Sequence, residues 1–199
     1  MGVRTRQALA GTVIGVALAL AATRSTESFG MSGPGQGSTG RPGEAQPTAT
    51  ARLKPSLSAT IRPTLNNVTG VVTFTQSGGR VTVVALVRGL TPSTKHGFHI
   101  HEVGDLSAPD LMSAGGHYNP DGHEHGGPGS QSHAGDFGSL ESDAKGVAIL
   151  RLTVDNIAIA GADNNVIGLA MIVHAWPDDL TSQPAGNAGD RIAGGIIEL

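Results

Sequence analysis

Eight histidines stand in this 199-residue chain. Two of them, His99 and His101, lie in the stretch Gly97-Phe98-His99-Ile100-His101-Glu102. Apolar and polar residues alternate there, which predicts a strand. Successive strand side chains point to opposite faces. Phe98 and Ile100 then share a face that can enter a core, and both imidazoles point at one spot on the other side. Two histidines at i and i+2 are half of a metal site, and imidazole suits copper and zinc. The same pattern also fits two exposed polar positions on a half-buried strand. The segment Asp105–Gly146 adds His117, His123, His125 and His133, with Asp136 close behind, and His174 ends the apolar run Met171-Ile172-Val173. One loop and two strand ends could converge on metal. A histidine-rich loop that binds nothing would account for their number equally well.

The elements that must position these residues read as strands. Thr69–Gln76 and Arg80–Arg88 alternate and are β-branched, with Ser77-Gly78-Gly79 as the hairpin turn between them. Ala59–Leu65 carries Pro63 and suits an edge. Further strands are expected at Val147–Asp155, Val166–His174 and Arg191–Glu198. Short strands, frequent turns and no helical period predict an all-β fold, an antiparallel sandwich or barrel. Asp105–Gly146 shows no long periodic segment, and a loop of that length in a compact domain is usually functional.

Composition narrows the function classes. A net charge of -3 gives no basic footprint for nucleic acid. The chain has no cysteine, which removes disulfides, thiolate metal sites and a cysteine nucleophile. Residues 1–22 read as a secretory signal: Arg4 and Arg6, then the apolar run Ala8–Ala22, with Ala19-Leu20-Ala21 as a small-x-small cleavage site. An uncleaved anchor is the competing reading, although a spanning helix needs about 20 apolar residues. Residues 23–56, rich in Gly, Pro, Ser and Thr, read as a flexible linker. Gly35, Gly37 and Gly40 match GxGxxG, but no strand precedes them and no helix follows. Asn67-Val68-Thr69 is a glycosylation sequon that matters only in a cell that glycosylates its exports. Residues 57–199 form the expected domain.

Over Leu57–Leu199 the chain resembles the copper–zinc superoxide dismutases, of the bacterial secreted type. Six motifs carry the resemblance in the family's order: Gly97-Phe98-His99-Ile100-His101-Glu102, Ser113-Ala114-Gly115-Gly116-His117-Tyr118-Asn119-Pro120, His125-Gly126-Gly127-Pro128, His133-Ala134-Gly135-Asp136, Val173-His174 and Gly186-Asn187-Ala188-Gly189-Asp190-Arg191. It implies an eight-stranded antiparallel Greek-key barrel with long metal-binding loops. It implies copper on His99, His101, His117 and His174, and zinc on His117, His125, His133 and Asp136, with His117 bridging both. Three imidazoles and a carboxylate are a fitting tetrahedral set for zinc. The implied reaction turns superoxide into oxygen and hydrogen peroxide on a redox-cycling copper. In the family, the residue matching His117 releases copper on reduction, takes a proton and delivers it in the second half-reaction.

The resemblance also implies supporting roles. Asp178 matches an aspartate that links a copper histidine to a zinc histidine, though a carboxylate after Pro177 also suits a plain turn. His96 matches a structural histidine behind the copper strand. His123 matches no ligand. Arg191 matches an arginine that attracts and positions the superoxide anion, and it also reads simply as the start of the last strand. The chain departs from the family in three places. Leu111 and Gly194 stand where the usual disulfide cysteines would be. The segment from His174 to Arg191 has no lysine, and Ala185 replaces a frequent threonine. The subunit-contact surface does not align, so a homodimer is left open. The expected location is periplasmic, extracellular or envelope-associated, with superoxide as partner, no nucleic acid, and no stable membrane association once the signal is cleaved. The alternative functions are a copper- or zinc-binding module without turnover and a structural envelope domain. Neither has a use for Arg191.

Overall fold

The computed structural model describes residues 45–55, 67–129, 131–161 and 163–199. Eight strands run through them: β1 (Thr48–Pro55), β2 (Thr69–Ser77), β3 (Arg80–Arg88), β4 (Lys95–His101), β5 (Asp136–Glu141), β6 (Ala148–Val154), β7 (Ala170–His174) and β8 (Arg191–Glu198). Their order in the sheet is β5-β4-β7-β8-β1-β2-β3-β6, with every pairing antiparallel. β5 and β6 end that order yet follow one another in sequence, and a Ser142–Ala148 bridge sits in the turn between them. The sheet therefore curls into a nearly closed barrel. The chain crosses the barrel between β3 and β4 and again between β6 and β7, which are the long returns of a Greek key.

Alternation builds the core. Val81, Val83, Ala85 and Val87 of β3 are fully buried, while Arg80, Leu86 and Arg88 are exposed. Phe74, Phe98, Ile100, Met171 and Ile197 join them inside. Burying a side chain of this kind contributes about 1.5–3 kcal/mol. Few aromatics are present, so the interior is filled mainly by aliphatic residues, with Val and Ile the largest share, whose stiff side chains suit a pleated surface.

Three expectations shift. β1 falls inside residues 23–56, the stretch expected to be linker. Its inward residues are Ala49, Ala51 and Leu53, and two of the three are too small to stand out as an apolar stripe. β5 (Asp-Phe-Gly-Ser-Leu-Glu) lies inside the segment expected to be all loop; six residues with a glycine at φ 71° give little periodicity. The strand expected to start at Val166 starts at Ala170, because the Leu169 amide donates to Val166 O across a turn that holds Gly168 at φ 86°. The expected edge strand Ala59–Leu65, the signal and most of the linker lie outside the described residues. No helix among the described residues is long and apolar enough to cross a membrane.

Candidate metal centre

Cross-strand register gathers the site. His99 pairs with Asp136 across β4 and β5, His101 pairs with His117 in an isolated bridge, and His174 pairs with Arg191 across β7 and β8. Register shifts at Gly97/His99 and Val173/His174 re-aim the side chains that follow. His99 and His101 do face away from Phe98 and Ile100, as alternation predicts. They are nevertheless buried, because the loop before β5 and the segment before β8 cover the outside of the barrel there.

That loop is knitted to β4 through the backbone. Tyr118 donates to Ile100 O at 2.8 Å, Ile100 to Gly135 O at 2.9 Å, and Gly135 to Tyr118 O at 2.9 Å. A Cβ on Gly135 would lie 2.3 Å from Ile100 O, so only glycine lets the loop lie this close.

Five of the rings have one nitrogen held by the protein, and four rings, His133 among them, have a buried nitrogen with no hydrogen-bond partner. His99 donates from Nε2 to Asp178 Oδ2 at 2.8 Å, and its Nδ1 is bare. His117 donates from Nδ1 to Asp136 Oδ1 at 2.8 Å, and its Nε2 is bare. His125 donates from Nε2 to Asp178 Oδ1 at 2.9 Å, leaving Nδ1 unbonded at 3.0 Å from Asp136 Oδ2. His133 Nδ1 is likewise buried without a hydrogen bond. His101 and His174 donate from Nδ1 to Gly115 O and Gly189 O, each at 3.0 Å, and bring their Nε2 atoms to 3.3 Å from each other. Buried polar groups are normally satisfied. Several bare ring nitrogens turned inward are the mark of a site built for cations.

The donor atoms form two groups, His99–His101–His117–His174 and His117–His125–His133–Asp136, each with its atoms within 4.8 Å of one another. His117 is common to both. Burial is the largest cause that lowers the pKa of His99, His101, His133 and His174, the last to about 3, so these rings are neutral and ready to coordinate. Burial pushes the Asp136 carboxyl up, but hydrogen bonds from His117 and the Gly126 amide outweigh it and hold the group ionised. Four imidazoles suit copper; three imidazoles and a carboxylate suit zinc.

The remaining expected residues fall around these groups. Asp178 joins His99 to His125, one from each donor group; its own amide donates to Ser139 Oγ, and its Oδ1 accepts from the Leu180 amide. A Cβ on Gly186 would stand 2.0 Å from Asp178 Oδ1, so a side chain there would break this link. His96 is a buried residue of β4 itself, with Nδ1 donating to His174 O at 2.9 Å and Nε2 accepting from Thr94. His123 stays outside both groups. Its backbone is tied on both sides to the Asn119 side chain. Arg191 lines an open cavity of about 670 Å³ together with His101, His117 and His174. Glu102, Asp110 and Asp190 line the same cavity, and among the described residues no other Lys or Arg does.

Sequence reasoning missed two supports. Gln183 holds the backbone of His125 at both ends, accepting from its amide at 2.8 Å and donating to its carbonyl at 3.0 Å. Glu102 accepts from the Gly116 amide at 2.8 Å and so fixes the approach to His117. Glu102 adjoins a motif histidine, which is a usable signal; nothing near Gln183 in sequence points to His125.

A family model described as copper/zinc superoxide dismutase matches residues 68–197. That range runs from the residue before β2 to within one residue of the end of β8, and it includes every donor named above. The chain belongs to the copper/zinc superoxide dismutase family.

Proposed function

We propose that the chain dismutates superoxide with copper held by His99, His101, His117 and His174, and zinc held by His117, His125, His133 and Asp136. The activity and the two metals follow from the family; the assignment of residues is our reading. One observation carries it: the bare inward nitrogens of four buried rings, in two donor groups that share His117. Copper supplies a one-electron exchange with superoxide in each direction, and zinc a fixed charge beside it. The protein's part is positional. Nδ1 of His117 lies 2.8 Å from Asp136 Oδ1, on the side of the second donor group, where it would hold zinc, so Nε2 is the atom free to hold a proton when it is not a ligand. Imidazole suits that exchange near neutral pH. Arg191, in the cavity beside His101 and His117, is the cation that receives and orients the incoming anion.

Metal analysis of the purified protein beside a superoxide assay tests this reading. It expects one copper and one zinc per chain, and activity that follows copper content. His125→Ala should lose zinc and keep copper, whereas His101→Ala should do the reverse. Loss of both metals from either variant in equal measure would overturn the division into two sites.

We further propose that residues 1–22 direct export and are removed near Ala21, leaving the domain in the periplasm, the envelope or the medium. The charged start, apolar run and small-x-small site support it. Amino-terminal sequencing of the native protein is expected to begin near Ala22. An intact Met1 on a cytosolic protein would overturn it.

A further inference from the structure

Register defines a second surface, across the barrel from the histidines. On the outside of β1, β2, β3 and β6, Arg52, Val71, Leu86 and Ile149 lie side by side. Thr50, Thr73, Val84 and Arg151 form the next row. Neighbouring strands are about 4.8 Å apart, so each row spans roughly 14 Å of a gently curved face. Lys54, Arg80 and Arg88 are exposed on the same strands. These four strands hold five of the chain's 13 Lys and Arg and none of its 16 Asp and Glu. None of the five cations makes an ion pair among the described residues. Carboxylates come only to the border: Glu198 opposite Thr50 on β8, Asp143 near Arg88, and Asp155 beside a hollow that Arg80 also lines. Within this basic frame, Ile149 is 74% exposed and Val71 and Leu86 are each 36% exposed.

We propose that this face docks reversibly on an anionic phospholipid surface, with Ile149 and Leu86 at the headgroup boundary and the five cations on the phosphates. Charge complementarity selects an anionic partner, because a basic cluster near a negatively charged lipid surface is attracted in proportion to its Lys and Arg count. The aliphatic row selects lipid among anionic partners. Exposed aliphatics gain by entering the headgroup boundary, while arginine and lysine stems lie along apolar surface with their heads in the polar layer. A polysaccharide would use the cations and leave Ile149 and Leu86 without a role. Single-stranded nucleic acid is held largely by stacking on aromatic side chains, and Phe74, the one aromatic on these strands, is buried. A twofold mate on the same face would set these cations against their own copies.

β2 and β3 stand opposite β4 and β7 in the barrel order. Docking through them leaves the histidine cavity open to water. Such adsorption is peripheral and goes beyond the expectation that the chain has no stable membrane association.

The test is co-sedimentation of the metal-loaded full chain with vesicles. Phosphatidylcholine containing about one third phosphatidylglycerol is compared with phosphatidylcholine alone. The chain is expected to bind the anionic vesicles well above the neutral ones. Binding should fade between 0.1 M and 1 M salt, as the screening length drops from about 10 Å to about 3 Å. Arg52→Ala and Arg151→Ala should each weaken binding about fivefold. Ile149→Ser should weaken it too, and all three variants should keep full superoxide turnover. Equal binding to both vesicle types, unmoved by these substitutions, would assign adsorption to the apolar run Ala8–Ala22 and overturn the proposal. Unchanged vesicle binding by Ile149→Ser, with equally tight binding to soluble heparin, would make the face a polyanion site and overturn it as well.

Discussion

Arg191 is fixed by backbone rather than by a carboxylate. Its two terminal nitrogens donate to Leu111 O and Gly115 O, each at 2.6 Å. Burial lowers its pKa and Asp110 partly restores it, so the guanidinium stays charged and aimed. Arg191→Ala should therefore keep both metals and the fold while the second-order rate falls. Arg191→Lys should recover only part of that rate, since a single ammonium keeps the charge but cannot span both carbonyls. An alanine variant with intact metals and an unchanged rate would leave Arg191 as a strand-end residue. Salt separates capture from orientation: if Arg191 captures the anion, the alanine variant should lose most of the salt dependence of the wild type. Asp178 makes a second residue-scale case. Asp178→Ala strips a partner from the ring N–H of both His99 and His125. An unsatisfied buried donor costs about 1–3 kcal/mol, and loss of a partner behind a ligand typically weakens metal binding about 10–100-fold. Competitive chelation should show that loss for both metals together, because the carboxylate touches one ring from each group. Loss confined to one metal would contradict the proposed link.

At the scale of elements, the loop before β5 is held down without a covalent tie. Leu111 sits in the left-handed region at φ 62° and is buried with Ala114, Ala170 and Ile172. Its Cδ1 lies 3.2 Å from where a Cβ on Gly194 would stand, so the absence of a side chain on β8 makes room for it. An apolar plug thus occupies the place where the resemblance expects a disulfide, and the plugging residue also offers its carbonyl to Arg191. Leu111→Ala should cost about 2–4 kcal/mol of stability and lower the rate with metals retained, read by melting curves and by the superoxide assay. An unchanged melting temperature would show that the plug contributes nothing. The same elements show what a sequence reveals. The seven residues that the fold gathers into donor groups were legible as candidates because each sits in a motif of distinctive chemistry. β2 and β3 were legible because β-branched residues alternate in them. β1 was not, since Ala49 and Ala51 carry too little apolar area to mark a face. β5 was not, since its hydrogen bonds to β4 involve a register shift that no local pattern encodes. The clasp of Gln183 on His125 spans 58 residues and exists only after folding.

For the whole molecule, metal, pH and stability are a single linked equilibrium. Seven buried side chains hold the two donor groups, and no cysteine is available to brace them. A ligand that binds only the folded state stabilises it by about 4 kcal/mol at a thousandfold excess over its Kd. For a domain of this size that is a rise of roughly 10 °C in melting temperature. Stripping zinc should therefore lower the melting point by at least that much, and restoring it should reverse the change. Acid should act in the same direction. His99, His101, His133 and His174 have folded pKa values below 6.5, chiefly through burial, so below that pH the unfolded chain binds more protons than the folded one. The metal-free domain should hold its full stability above pH 6.5. It should lose stability as pH falls from 6.5 toward the value of about 3 for His174. Metal-loaded protein should follow the same sign, because protons and metals compete for the same ring nitrogens. Denaturant melts at pH 7.5, 6 and 4.5 would read both curves. A metal-free stability that stays flat across that range would mean that these rings already take up protons inside the fold, and the neutral, coordination-ready cluster would have to be abandoned.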